Sequence, residues 1–239
     1  MSKIINPDQV IIHLRTIQNI SLLNGGSSMY YIGYLCRRKY NEKSKQSHKI
    51  IHEDLINLDK TDDELLVQIN NILLYKYLDK SDEGCVLYIT DNSLNVESGI
   101  NDYMQQWLNI QLMRLKSTED SQYQKIIKNP LKLYMHYIHK SHYKIIYQID
   151  IDTIDPNDLS KVVELIDKVE VYFIVKTQGG FHILIGKPNH DVNIKLHNLT
   201  KVMKMSIHNN NMTSICGSTQ NGYEVHAITL DEFKKISIS

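Results

Sequence analysis

Apolar positions along this chain fall into runs of two kinds, some spaced at three and four residues and some alternating at two. In the first half, Pro7 to Leu23 has helical spacing and is closed by Asn24, Gly25 and Gly26. MYYIGYLCRRKYN (29–41) predicts a strand running into a basic end at Arg37 and Arg38, and NEKSKQSHK (41–49) a loop or hairpin tip. Leu65, Leu66, Ile69, Ile72 and Leu73 predict a helix over 62–78, and CVLYITD a short strand over 85–91. An amphipathic helix holding Trp107 is expected over 101–115, and another over 122–139 with a break near Asn129 and Pro130.

From Tyr143 the order reads strand (YKIIYQIDID), helix (156–169), strand (VYFIVKT), strand (FHILIG), helix (192–208), strand (YEVHAIT, 223–229). Gly179 and Gly180 mark a hairpin between the second and third strands. A βαββαβ order predicts a ferredoxin- or RRM-like core of α+β class with strand order four-one-three-two. The expected division is an N-terminal α/β module over 1–140 and this core over 141–239.

Alternation assigns faces to the strand residues. Tyr147, Ile149 and Ile151 form one set and Gln148, Asp150 and Asp152 the other. The same count on the remaining strands sets Val171, Phe173 and Val175 against Tyr172, Ile174 and Lys176. It sets Phe181, Ile183 and Ile185 against His182 and Leu184, and Tyr223, Val225 and Ala227 against Glu224 and His226. An open sheet face carrying Asp150, Asp152, Lys176, His182, Glu224 and His226 is the expectation.

Composition changes this picture little. The chain has 239 residues, 42% of them hydrophobic, which is enough for a substantial core. Lys plus Arg and Asp plus Glu are 27 each, so net charge gives no sign of a polyanionic partner, although a local basic groove stays compatible. Cys36, Cys85 and Cys216 lack metal-ligand or framework spacing, which fits a reducing compartment. No secretory leader and no apolar run of about 20 residues is visible, so an intracellular protein without a membrane partner is expected.

The chemistry the face offers is divalent-metal binding. Carboxylates at 150 and 152, with a third acid and a histidine on neighbouring strands, suit Mg²⁺ or Mn²⁺ and leave positions for phosphate oxygens. Lys176 and His182 can hold a triphosphate, and the Gly-Gly backbone allows close approach. Each feature alone has a plainer reading. Asp-x-Asp at a strand end is commonly a solvated terminus or helix cap, a strand histidine is commonly a hydrogen-bonded surface residue, and Gly-Gly is commonly a turn. Their shared face favours a site.

These residues resemble the archaeo-eukaryotic primase, or primase-polymerase, superfamily over roughly 143–230. YQIDID matches its strand ending in Asp-x-Asp, and KTQGGFHILI its second motif, a hydroxyl residue, a glycine turn and a strand histidine. SICGSTQNGYEVHAI is similar to a glycine-rich loop of small viral and mobile-element members, with Cys216 where those place a proline. The resemblance implies a metal-dependent nucleotidyltransferase, a DNA or RNA primase or polymerase. Asp150, Asp152 and His182 would be catalytic, and Asp150, Asp152 and Glu224 would bind Mg²⁺ or Mn²⁺. Lys176, Thr177, Gly179, Gly180, His182 and His226 would bind nucleotide. The family's third motif, an apolar residue followed by an acid, has no clean copy. Glu224 is the first candidate and Asp231 in ITLDEF the second. Implied partners are a nucleoside triphosphate, a DNA or RNA template and a helicase or other replication protein.

Two other classes stay open. A non-catalytic RRM-like module would use the same face to bind nucleic acid or protein, but such readers place aromatics where this chain has acids and a histidine. A rolling-circle endonuclease would need a second histidine beside His182 and a nearby tyrosine nucleophile, and only His182 stands in that strand.

Overall fold

A computed structural model describes residues 4, 6–37, 48–74, 85–116, 130–209, 211–220 and 222–238. The first half contains α1 (Pro7–Leu23), β1 (Met29–Arg37), β2 (His48–Asn57), α2 (Asp62–Leu74), β3 (Cys85–Thr90), α3 (Val96–Lys116) and α4 (Pro130–Lys140). The second contains β4 (Tyr147–Ile151), α5 (Pro156–Ile166), β5 (Val171–Lys176), β6 (Phe181–Ile185), α6 (His190–Leu199) and β7 (Met205–His208). It continues with β8 (Met212–Ser214), β9 (Thr219–Gln220), β10 (Tyr223–Glu224), β11 (His226–Ile228) and α7 (Leu230–Ile236). The class is mixed α+β, as expected. Among the described residues no helix is long and apolar enough to cross a membrane. The expected hairpin tip after β1 and the helix before Pro130 fall mostly outside the described residues.

Local chemistry explains where the helices begin. Asn6 accepts from the Gln9 amide ahead of Pro7, and Asp155 accepts from the Asn157 amide ahead of Pro156. Thr229 and Glu232 close a reciprocal capping box on α7.

The strands form a sheet of order β2-β1-β3-β8, a sheet of order β11-β5-β6-β4-β7, and the β10-β9 ribbon. Every strand pair is antiparallel. Strand β2, paired along β1, occupies a segment for which the sequence predicted no element, overlapping the expected hairpin tip only at His48 and Lys49. Strand β8, from beyond residue 140, completes the first sheet, so the sheets do not divide where the chain was expected to.

Two elements near the site differ from expectation. The helix expected over 192–208 ends at Leu199, and Met205–His208 is strand β7, paired with β4. Met203, Met205 and Ile207 meet the core at a spacing of two, which an extended chain satisfies and a helix does not. The expected fourth strand, 223–229, is divided. Its first part pairs with β9, and its second lies against β5 at the far edge of the five-stranded sheet, not beside β4.

Neither face of the five-stranded sheet is open. Ile149, Ile151, Ile174, Phe181, Ile183 and Ile185 pack with Leu159, Val162 and Ile166 of α5, Val192 and Leu196 of α6 and Phe233 of α7. Leu184 on the other face and Ile146, just before β4, join the core built by Val10, Leu14 and Ile17 of α1 and Tyr30, Ile32 and Ile89 of the first sheet. An irregular register between Val171 and Phe173 shifts the alternation of β5. Ile174 therefore enters the helix-side core, and Val175 packs on the other face with Cys216 and Val225.

Candidate active site

Asp150 and His182 are direct partners in the β4–β6 ladder, so their side chains share a face. His182 Nε2 lies 3.4 Å from Asp150 Oδ1, with the Asp150 side chain 23% exposed and that of His182 9%. Asp152, one pleat on and exposed, is anchored by its amide donating to the Lys204 carbonyl at 2.8 Å. The two carboxylates thus stand on one side of the end of β4.

The turn at Thr177–Gly180 packs against that same end. The Thr177 amide and Oγ1 both donate to the Gly180 carbonyl, at 2.9 and 3.2 Å. A Cβ on Gly180 would lie 1.7 Å from the Ile151 carbonyl oxygen, whereas one on Gly179 would meet nothing within 4 Å. Glycine at 180 is thus explained by the close approach of β4's own backbone. Exposed Gly179 is the part of the pair open to a ligand.

Three expected members lie elsewhere. Lys176 is paired with Phe181, a helix-side core residue, and His226 is paired with Lys176. Both therefore share the face opposite Asp150 and His182: the register irregularity in β5 inverts the count for Lys176, and Val225 and Ala227 pack with Val175 on the second buried face, which turns His226 to the helix side. Glu224 belongs to the β10–β9 ribbon, opposite Thr219. Next to Asp150 on β7 stands Ser206, with His208 hydrogen-bonded to it, Nε2 to Oγ at 2.8 Å. Asp231, the second candidate, is in the first turn of α7.

Other polar residues fill the space behind Asp150. Asp91, immediately after β3, accepts from Thr213 Oγ1, which accepts in turn from Gln148 Nε2 at 2.6 Å. Asn211 Nδ2 donates to Gln148 Oε1. Burial pushes the Asp91 carboxyl far up; the Thr213 hydrogen bond opposes this, and the charge of Asp150 adds to it. His13 of α1 is fully buried, accepts from the Cys216 amide at 3.2 Å, and stacks on Phe173 with ring centroids 5.0 Å apart. Burial, then the neighbouring His182, lower its pKa to about 3. Among the described residues, Asp91 Oδ2 and His13 Nε2 have no hydrogen-bond partner.

Sequence reasoning passed over Asp91 and His13. The available signals were an acid closing the apolar strand CVLYITD and a histidine on the buried side of α1 with Val10, Leu14 and Ile17.

Among the described residues no group of three or more His, Cys, Asp or Glu is arranged to hold a metal ion. Asp150 and Asp152 fit a looser requirement. Mg²⁺ is commonly held by one or two carboxylates, with water and substrate phosphate completing its shell. No protein-family model, no curated protein and no solved structure matches this chain.

Proposed function

We propose that the chain is a metal-dependent nucleotidyltransferase of primase-polymerase type, joining nucleotides on a DNA or RNA template. The observation that carries this reading is the Asp150–His182 pair on adjacent strands, with Asp152 one pleat beyond. In this reading β4–α5–β5–β6–α6–β7 is a ferredoxin-like unit, supported by its β5-β6-β4-β7 order and by α5 and α6 packing on one face.

Asp150 and Asp152 would hold Mg²⁺ or Mn²⁺, which when bound supports attack of a hydroxyl on an α-phosphate and departure of pyrophosphate. His182 would donate to a phosphate oxygen, oriented by its contact with Asp150. The exposed Gln178–Gly179 tip would face the nucleotide, with Thr177 holding the turn closed. Lys176, His226 and Glu224 have no part in it. A helicase or other replication protein is the partner class this activity calls for.

A second reading, a non-catalytic nucleic-acid- or protein-binding relative, is favoured by one observation. Ser206 occupies the position beside Asp150 where the third acid was expected. Primer synthesis and extension with Mn²⁺ or Mg²⁺, all ribo- and deoxynucleoside triphosphates and single-stranded templates separates the two. Incorporation that disappears on Asp150→Ala supports the enzyme. Template binding without incorporation under every condition supports the binding module.

A further inference from the structure

On the helix side of the five-stranded sheet, at the β7 edge, lies a cavity of about 390 Å³ lined by Tyr147, Asn193, His197, Ile207, His208 and Asn209. Its size falls within the range of small-molecule sites. Asn193 and His197 are four residues apart on α6 and so adjacent on its surface. Ile207, His208 and Asn209 come from the end of β7 and the residue after it, and Tyr147 opens β4.

None of these six residues carries a fixed charge. Without Lys or Arg the cavity offers nothing specific to a phosphate, and without a carboxylate nothing specific to a cation. Two amides, the His197 imidazole and a phenol supply donors and acceptors together, with the His208 ring held by Ser206 at the rim, while Tyr147 and Ile207 supply apolar surface. That combination suits a flat, uncharged group with hydrogen-bonding edges.

We infer that this cavity binds a nucleobase. It opens on the opposite face of the sheet from Asp150: Tyr147 and Ile207 lie on the helix side, whereas His208, 2.8 Å from Ser206, and Ser206, the ladder partner of Asp150, belong to the other face and meet the cavity only at the β7 edge. Tyr147 and Asp150, three residues apart on one strand and roughly 10 Å apart at the rise of an extended chain, point to opposite faces, so the two sites are separate. The inference goes beyond nucleotidyl transfer and does not depend on it.

The test is an amide and histidine NMR titration of the full chain with adenosine, guanosine, cytidine and uridine, without metal, beside ribose and glucose. Nucleosides lack the triphosphate, so the result is independent of the metal site. At least one nucleoside is expected to shift Asn193, His197 and Asn209 saturably in the millimolar range. Asn193→Leu and His197→Leu, both at exposed helix positions, should each weaken binding about tenfold. Asp150→Ala should leave it unchanged. No shift with any nucleoside overturns the inference, as does equal binding of ribose or glucose. Shifts centred on Asp150 and His182 that are lost in Asp150→Ala overturn it as well.

Discussion

Asp150 and His182 face each other across the β4–β6 ladder, 3.4 Å from Oδ1 to Nε2, on the sheet face that packs toward the N-terminal half. The pairing fixes the imidazole beside the carboxylate that would carry a metal. It also makes His182 part of the packing, because little of its side chain is exposed.

His182→Ala should therefore act on two properties. Loss of a hydrogen bond to a phosphate oxygen costs on the order of 1–3 kcal/mol, roughly ten- to a hundredfold in nucleoside-triphosphate affinity with Mn²⁺. His182→Gln keeps a donor and should recover part of that affinity. Calorimetric titration beside the melting temperature checks this. Unchanged affinity in a variant that only melts lower would make the histidine structural.

Gly180→Ala should destabilise by several kcal/mol, since its Cβ would overlap the Ile151 carbonyl and displace the end of β4. Gly179→Ala should be near neutral. At about 2–4 °C per kcal/mol for a chain of this size, melting temperatures resolve the two. Equal effects would mean that the turn does not pack as described.

The contrast between those glycines shows what was legible in the sequence. Period-two patterns and the Gly-Gly turn located β4, β5 and β6, and the pairing of Asp150 with His182 followed from them. The sequence did not reveal that Gly180 is constrained by Ile151, because that contact comes from a distant segment. Strict alternation puts Lys176 on the wrong face because one irregularity near Val171 reverses every later residue of β5. YEVHAIT alternates like a sheet strand and so suggests Glu224 beside Asp150; the partner of β4 is instead β7, whose short Met205–His208 run extends a helical pattern. Nothing in local spacing announces that α1 and the first sheet cover the supposedly open face.

Two separately buried groups, His13 and Asp91, predict opposing pH effects. His13, lowered to about 3 in the fold, contributes stability present above its usual pKa near 6.5 and lost as pH falls toward 3. Asp91, raised in the fold, contributes stability present below its usual value near 3.8 and lost as pH rises toward its folded value. Asp91→Asn should leave a protein that loses about 2 kcal/mol between pH 6.5 and 5 through His13. His13→Gln should lessen the loss on acidification, leaving the Asp91 decline above about pH 4 opposed, among the described residues, only by His139 and His142, whose pKa values burial also lowers. Denaturant melts of both variants across pH 4–8 test the signs, and parallel profiles would contradict them.

Ser206→Asp places an acid opposite Asp150, where the third carboxylate was expected. Mn²⁺ affinity should rise about tenfold or more, readable by electron paramagnetic resonance of free Mn²⁺. No change would mean that the end of β4 is not where the metal binds.

Asp150 and Asp152 are proposed to form a metal-dependent nucleotidyl-transfer site. Its most direct measurement is primer extension by the wild-type chain and by Asp150→Ala/Asp152→Ala, with Mn²⁺, at matched folded concentration. Wild-type incorporation, a loss of at least about a hundredfold in the double variant and an unchanged or higher melting temperature are the predicted results. Incorporation by the double variant at the wild-type rate would exclude these two carboxylates from the chemistry.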